Sequence, residues 1–163
     1  PEDLSLEEVS KKNLLDVKAA VLSYGAYDLY KFALQNAETY KNIFWWLALS
    51  KPRRVLGDRY NPIDHPEMYK AISPIYNIPE ATKRKLPPQL LTAATRDRIT
   101  PVRMIKEYGK ALEEKNQEFE FWEHINRNHA YLDSGKTLIA GNDFIRDGVP
   151  ALKVMMDFFA KHL

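Results

Sequence analysis

An α/β fold built on a small parallel sheet of about three strands is what this sequence predicts, and three observations predict it. Short strand-like runs at residues 17–23, 89–94 and 118–123 are separated by helical stretches, the alternation expected of βαβ units. The first run, Val17-Lys-Ala-Ala-Val-Leu-Ser23, is apolar on both faces, as a strand covered by helices on two sides must be. The length of 163 residues, with 45% hydrophobic and 28% charged residues, is that of one domain around one core.

Each element has its own signal. Residues 1–16 read as a polar amphipathic helix, with Ser5 and Glu8 as a capping box and Leu6, Val9 and Leu14 as its apolar face. Tyr24-Gly25 stops the first strand. Residues 29–49 are helical and crowded with rings: eight of the 19 aromatic residues fall between Tyr24 and Trp46, a density that reads first as core and second as a pocket lining. Lys51-Pro52, Gly57-Asp58 and Asn61-Pro62 then break the pattern into a loop over 50–64. A short helix follows over 64–72, with Asp64 expected as its cap and Pro66 in its first turn. After Pro87-Pro88 comes the second strand, then the polar turn Thr95-Arg-Asp-Arg98. Residues 101–115 form the clearest helix: Pro101 starts it, Val102, Ile105, Tyr108 and Leu112 share one face, and Asn116 stops it. The third strand alternates polar and apolar residues and so sits nearer the sheet's edge. A polar loop, Asn126-Arg-Asn-His-Ala130, leads on to a last helix over 150–163, with Val154, Met155, Phe158 and Phe159 facing inward. Crossovers between parallel strands are expected to be right-handed.

Composition removes several classes of function. A formal net charge of +2, without a basic helix or arginine-rich arm, gives no footprint for nucleic acid. No apolar run approaches the ~20 residues that span a bilayer, and the acidic first residues do not read as a signal peptide. With no cysteine there is no disulfide, thiolate site or thiol nucleophile. His65, His124 and His162 have no ligand spacing and read as structural or surface residues, so neither a metal nor a cofactor is expected.

In a parallel sheet, chemistry collects in the loops at the carboxyl ends of the strands. Those loops are 24–28, with Tyr24, Tyr27 and Asp28; 95–100, with Asp97; and 124–130, with His129. An Asp after one strand and a His 32 residues on, after the next, would face each other across neighbouring strand ends. A carboxylate that orients an imidazole is the acid–base half of a nucleophilic triad.

These residues carry a family resemblance. Leu90-Leu-Thr-Ala-Ala-Thr-Arg-Asp-Arg-Ile-Thr-Pro101 resembles the strand-seven segment of α/β-hydrolases of the prolyl-oligopeptidase and acetyl-esterase type, with Asp97 in the place of the triad Asp. Residues 119–123 followed by Arg127-Asn-His-Ala130 resemble the family's last strand and its Asn-His-Gly loop, with His129 in the place of the triad His. Residues 17–28, ending Tyr-Gly-x-x-Asp, resemble strand six, and Ile72-Ser-Pro-Ile75 resembles the stretch before strand seven. The matches stay in register over residues 17–163. Ala94 and Ala130 stand where the family usually has Gly.

The family's nucleophile sits in Gly-x-Ser-x-Gly, and none of Ser5, Ser10, Ser23, Ser50, Ser73 or Ser134 has those flanks. The resemblance therefore implies the C-terminal half of a serine hydrolase of carboxylic esters, with nucleophile and oxyanion donors expected upstream and this chain alone inactive. A prolyl-oligopeptidase-type peptidase and a non-catalytic binding or assembly domain are the alternatives. In this family the insertion between strands six and seven, here about 29–66, usually forms a lid. Phe44, Trp45 and Trp46 would then line an apolar substrate pocket, with Tyr24 at the strand end beside it. The expected partners are a small ester or short peptide substrate and, at the open edge of strand 17–23, either the missing half as a second chain or another copy of this one.

Overall fold

The computed structural model describes residues 17–37, 54–57, 59–133 and 142–163. Three parallel strands, β1 (Ala20–Ser23), β2 (Gln89–Ala94) and β3 (Phe119–His124), lie in the order β1-β2-β3. Ala20 pairs with Gln89 and Ser23 with Thr92 on one side of β2; Gln89 pairs with Phe119 and Ala94 with His124 on the other. Helix α1 (Leu29–Phe32) continues into a π-type turn (Ala33–Ala37). Helices α2 (Pro66–Ile72), α3 (Val102–Glu114) and α4 (Val149–His162) complete the described elements, with a 3-10 turn at Pro74–Tyr76 and a π-type turn at Phe144–Gly148. The α/β architecture and the three-strand parallel sheet are those the sequence predicts.

Strand β2 explains why the sheet holds. All six of its residues are buried, and alternation sends them to opposite faces. Leu91 and Ala93 meet Ile105, Tyr108 and Leu112 of α3 together with Tyr27, whose ring stacks on Tyr108 at 4.2 Å. Leu90 and Ala94 meet Ala151, Met155 and Phe158 of α4 together with Tyr131. Each buried leucine contributes roughly 1.5–3 kcal/mol. Gly109 lets α3 approach closely: a Cβ there would come within 2.9 Å of the Phe119 ring and 3.5 Å of a Leu91 methyl.

The loop before β2 is held by one buried amide. Gln117 accepts the Leu86 N–H at 2.8 Å and donates to the carbonyls of Pro79 and Arg84 at 2.8 and 2.9 Å. Three loop groups that no ladder reaches are satisfied this way.

Beyond one-residue shifts at the ends of β3, α3 and α4, two boundaries differ from the sequence reading. β1 begins at Ala20 rather than at 17, where Ala20 N–H donates to the Pro88 carbonyl at 2.9 Å. Pro87 and Pro88 have no N–H to extend the ladder further back. Helix α2 is capped at His65, without a side-chain bond, and not at Asp64. Asn61 takes that carboxylate: its amide donates to Asp64 Oδ2 at 2.6 Å while its own oxygen accepts Asp64 N–H at 2.9 Å. Pro66, which has no N–H to satisfy, then opens the helix. The helix expected over 1–16 lies outside the described residues, as do Phe44, Trp45 and Trp46 with most of the expected lid.

Candidate active site

Asp97 and His129 leave the carboxyl ends of the adjacent strands β2 and β3, and the fold brings them together. His129 Nδ1 lies 2.7 Å from Asp97 Oδ2. The Asp97 side chain is fully buried, whereas that of His129 is 27% exposed. An ionised carboxylate only accepts, so Nδ1 carries the proton and the lone pair of the neutral ring sits on Nε2.

The sequence around Asp97 makes this carboxylate a hub. Oδ1 accepts the N–H groups of Ile99 and Thr100 at 2.8 and 2.9 Å, closing an Asx-type turn just before Pro101. The Thr100 hydroxyl stands 2.9 Å from Oδ2, 3.0 Å from the Tyr24 carbonyl and 3.3 Å from His129 Nδ1. Burial by itself raises the Asp97 carboxyl, but the hydrogen bonds from His129 and Thr100 prevail and hold it below the usual aspartate value. Asp97 is therefore ionised at neutral pH.

The loop carrying His129 is tied on both sides. Arg96 N–H donates to the Arg127 carbonyl at 2.8 Å, and Asn126 N–H donates to Thr95 Oγ1 at 2.7 Å, so the histidine loop is bonded to the aspartate turn. Asn142 Nδ2 donates to the His129 carbonyl at 2.5 Å from beneath. Asp147, fully buried before α4, anchors the same loop. Arg127 Nε makes an ion contact with its Oδ1 at 2.5 Å, not aligned as a hydrogen bond. Arg146 donates to both Asp147 carboxylate oxygens at 2.6 Å, and the Asp147 backbone carbonyl lies 2.7 Å from His124 Nε2. Hydrogen bonds from Arg146 chiefly hold the Asp147 carboxyl down at about 2, despite its burial.

Tyr24 completes the arrangement. Its backbone sits at φ 41°, a left-handed conformation uncommon for an aromatic residue. Its ring centroid is 5.0 Å from the His129 ring and 5.1 Å from Tyr131. Beneath it, Tyr131 OH and Thr92 Oγ1 are 2.5 Å apart, and Thr92 is also bonded to Ser23 at 3.1 Å. Asp28 lies away from the pair, capping α1 through Lys31 N–H and accepting the Tyr76 hydroxyl at 3.0 Å. Among the described residues the serines are Ser23 and Ser73; the latter donates to the Tyr69 carbonyl and accepts Leu29 N–H, and neither bonds His129. No group of metal-ligating side chains occurs among the described residues, and no helix among them is long and apolar enough to cross a membrane.

Sequence reading missed Thr100, Asn142 and Asp147. Thr100 had a local signal, the Asp-x-x-Thr spacing of a turn closed by an Asp side chain. Asn142 and Asp147 had none, because their roles arise only when α4 docks.

No protein-family model matches the chain, and no curated protein matches it by sequence. Solved structures do. A truncated carbohydrate esterase from gut microbiota superposes with a TM-score of 0.61 at 19% identity, over 90% of this chain and 42% of that one. The acylaminoacyl peptidase of Pyrococcus horikoshii gives 0.62 at 20% identity, over 90% of this chain and 20% of the other. Apo esterase 2 of Thermogutta terrifontis gives 0.59 at 16%, over 99% and 46%. The chain has the fold of the C-terminal part of an α/β-hydrolase, and it spans less than half the length of each of these enzymes.

Proposed function

We propose that this chain is the acid–base half of a serine hydrolase that cleaves carboxylic esters. The observation that carries the reading is the 2.7 Å bond between His129 Nδ1 and a fully buried, ionised Asp97 at the ends of adjacent parallel strands. The fold shared with two esterases supports it.

In this reading the nucleophilic serine comes from polypeptide outside these 163 residues. His129 Nε2 takes the serine proton as the serine oxygen adds to the ester carbonyl. The resulting imidazolium, stabilised by Asp97, then gives that proton to the departing alkoxide. In the second half, water loses a proton to Nε2 as it attacks the acyl-enzyme, and the proton returns to the serine oxygen as the acid is released. Asp97 stays ionised throughout and fixes the tautomer.

The test is hydrolysis of p-nitrophenyl butyrate by the chain alone and together with the polypeptide that precedes it. Background rates alone and turnover in the pair, abolished by His129→Ala, are expected. Turnover by the pair that is insensitive to His129→Ala would defeat the reading. Peptide cleavage on the same residues is the second reading, favoured by the likeness to acylaminoacyl peptidase. An N-acetylated peptide amide assayed beside the ester separates the two.

A further inference from the structure

We infer that the ester taken by this site also carries an ionised carboxylate, seated against Arg96 and Arg98. The inference rests on the hydrolase reading and narrows its substrate class. An open cleft of about 650 Å³ lies along the aspartate turn, lined by Thr95, Arg96, Asp97, Arg98 and Asn128, the residue that precedes His129. Its wall holds two guanidinium groups, a hydroxyl and an amide, which is a lining for an anion and not for an acyl chain.

The one acid in that wall does not neutralise the two arginines. Both Asp97 oxygens are spent on Ile99, Thr100 and His129, and the carboxylate is closed to solvent. Neighbouring cations are matched: Arg103 with Glu107, Lys106 with Glu123 and Arg127 with Asp147. Among the described residues Arg96 and Arg98 have no such carboxylate. Both are exposed.

The turn that carries them is already fixed. Thr95 N–H donates to the His124 carbonyl, Arg96 N–H to that of Arg127 and Asp97 N–H to that of Ala94. Binding an anion there needs little ordering of the backbone, which raises the affinity two exposed cations can achieve. Guanidinium forks match the two oxygens of a carboxylate, and two of them on one short turn flank it.

Titrating the isotope-labelled chain with monomethyl succinate, while following the amide signals of residues 95–100 and 126–130, tests this without turnover. Saturable shifts with a dissociation constant in the low-millimolar range, roughly 4 kcal/mol of binding, are expected. Dimethyl succinate, its neutral counterpart, should give none. The R96A/R98A variant should bind about tenfold more weakly or worse. If that variant loses its dispersed spectrum, R98Q provides the same readout with a several-fold loss. Shifts that do not saturate, that appear equally with the diester, or that persist in the variants overturn the inference. No bond is cut in the titration, so inactivity of the complete protein would defeat the hydrolase reading and leave the anion result standing.

Discussion

The Tyr24 ring packs against the His129 imidazole at 5.0 Å, while the Tyr24 carbonyl lies 3.0 Å from the Thr100 hydroxyl that also reaches Asp97. One residue at the end of β1 thus touches His129 through its side chain and, through its backbone, the Thr100 hydroxyl that bonds Asp97. Truncation should loosen the ring. Tyr24→Ala is expected to lower stability by about 2 kcal/mol, less than a fully buried aromatic would, and to broaden the His129 ring signals in NMR spectra. Tyr24→Phe keeps the packing and should change neither. Equal loss in both variants would mean that the phenol, not the ring, matters.

In the proposed mechanism Asp97 sets the tautomer, so Asp97→Asn should remove the Nδ1 proton signal of His129 and lower kcat of the proposed two-part hydrolase about 10⁴-fold. The pH dependence follows from the depressed Asp97 carboxyl. Its contribution to stability is full above the ordinary aspartate range and is lost as pH falls through the lower, folded value. Acid denaturation curves of wild type and Asp97→Asn should converge below that range. Curves that stay parallel would show that the carboxylate adds nothing to folding.

Asp147 offers the larger acid-sensitive link. Its carboxyl lies at about 2, against an ordinary value of 3.8, so the stability it adds is present above the latter and disappears between the two. Asp147→Asn should destabilise the chain by about 2–4 kcal/mol at neutral pH, because it leaves Arg127 without its buried partner. It should also flatten the acid limb, which denaturant melts at pH 2, 4 and 7 would show.

Ala130 adopts φ 59°, a conformation in which a Cβ is strained. Ala130→Gly is expected to raise stability by roughly 0.5–1 kcal/mol, the strain relieved outweighing the added freedom of the unfolded chain. A lower midpoint in urea would count against it.

Alternation along β1 turns the N–H groups of Val21 and Ser23 away from β2, whereas Ala20 and Tyr24 donate to it. In the isolated chain, Val21 and Ser23 amides should exchange on the order of a hundredfold faster than that of Leu22. We propose that the nucleophile-bearing polypeptide pairs here, and its addition should slow them. Unchanged exchange in an active pair would place the contact elsewhere.

Legibility in the sequence followed the range of the forces involved. β2 was readable to the residue because all six positions are buried and prolines mark its start. Asp97 and His129 could be placed because each follows a strand whose neighbour is the next in the chain. The Asp64 cap was misread because two capping residues three positions apart interact, and Asn61 engages both the Asp64 carboxylate and its N–H. Asn142 and Asp147 were invisible, since a hydrogen bond to a residue 13 positions away and an ion contact to one 20 positions away leave no periodic trace.

The alternating side chains of β2 make one strand the shared wall of two apolar clusters, with α3 on one face and α4 on the other. Detaching either helix strips half of that wall and uncovers residues whose neighbours brace the opposite layer. The two layers therefore cannot melt in sequence. Heat or denaturant should dissolve both in a single cooperative step, and the aspartate turn and histidine loop, rooted at the ends of the wall and its neighbour, should disappear with it.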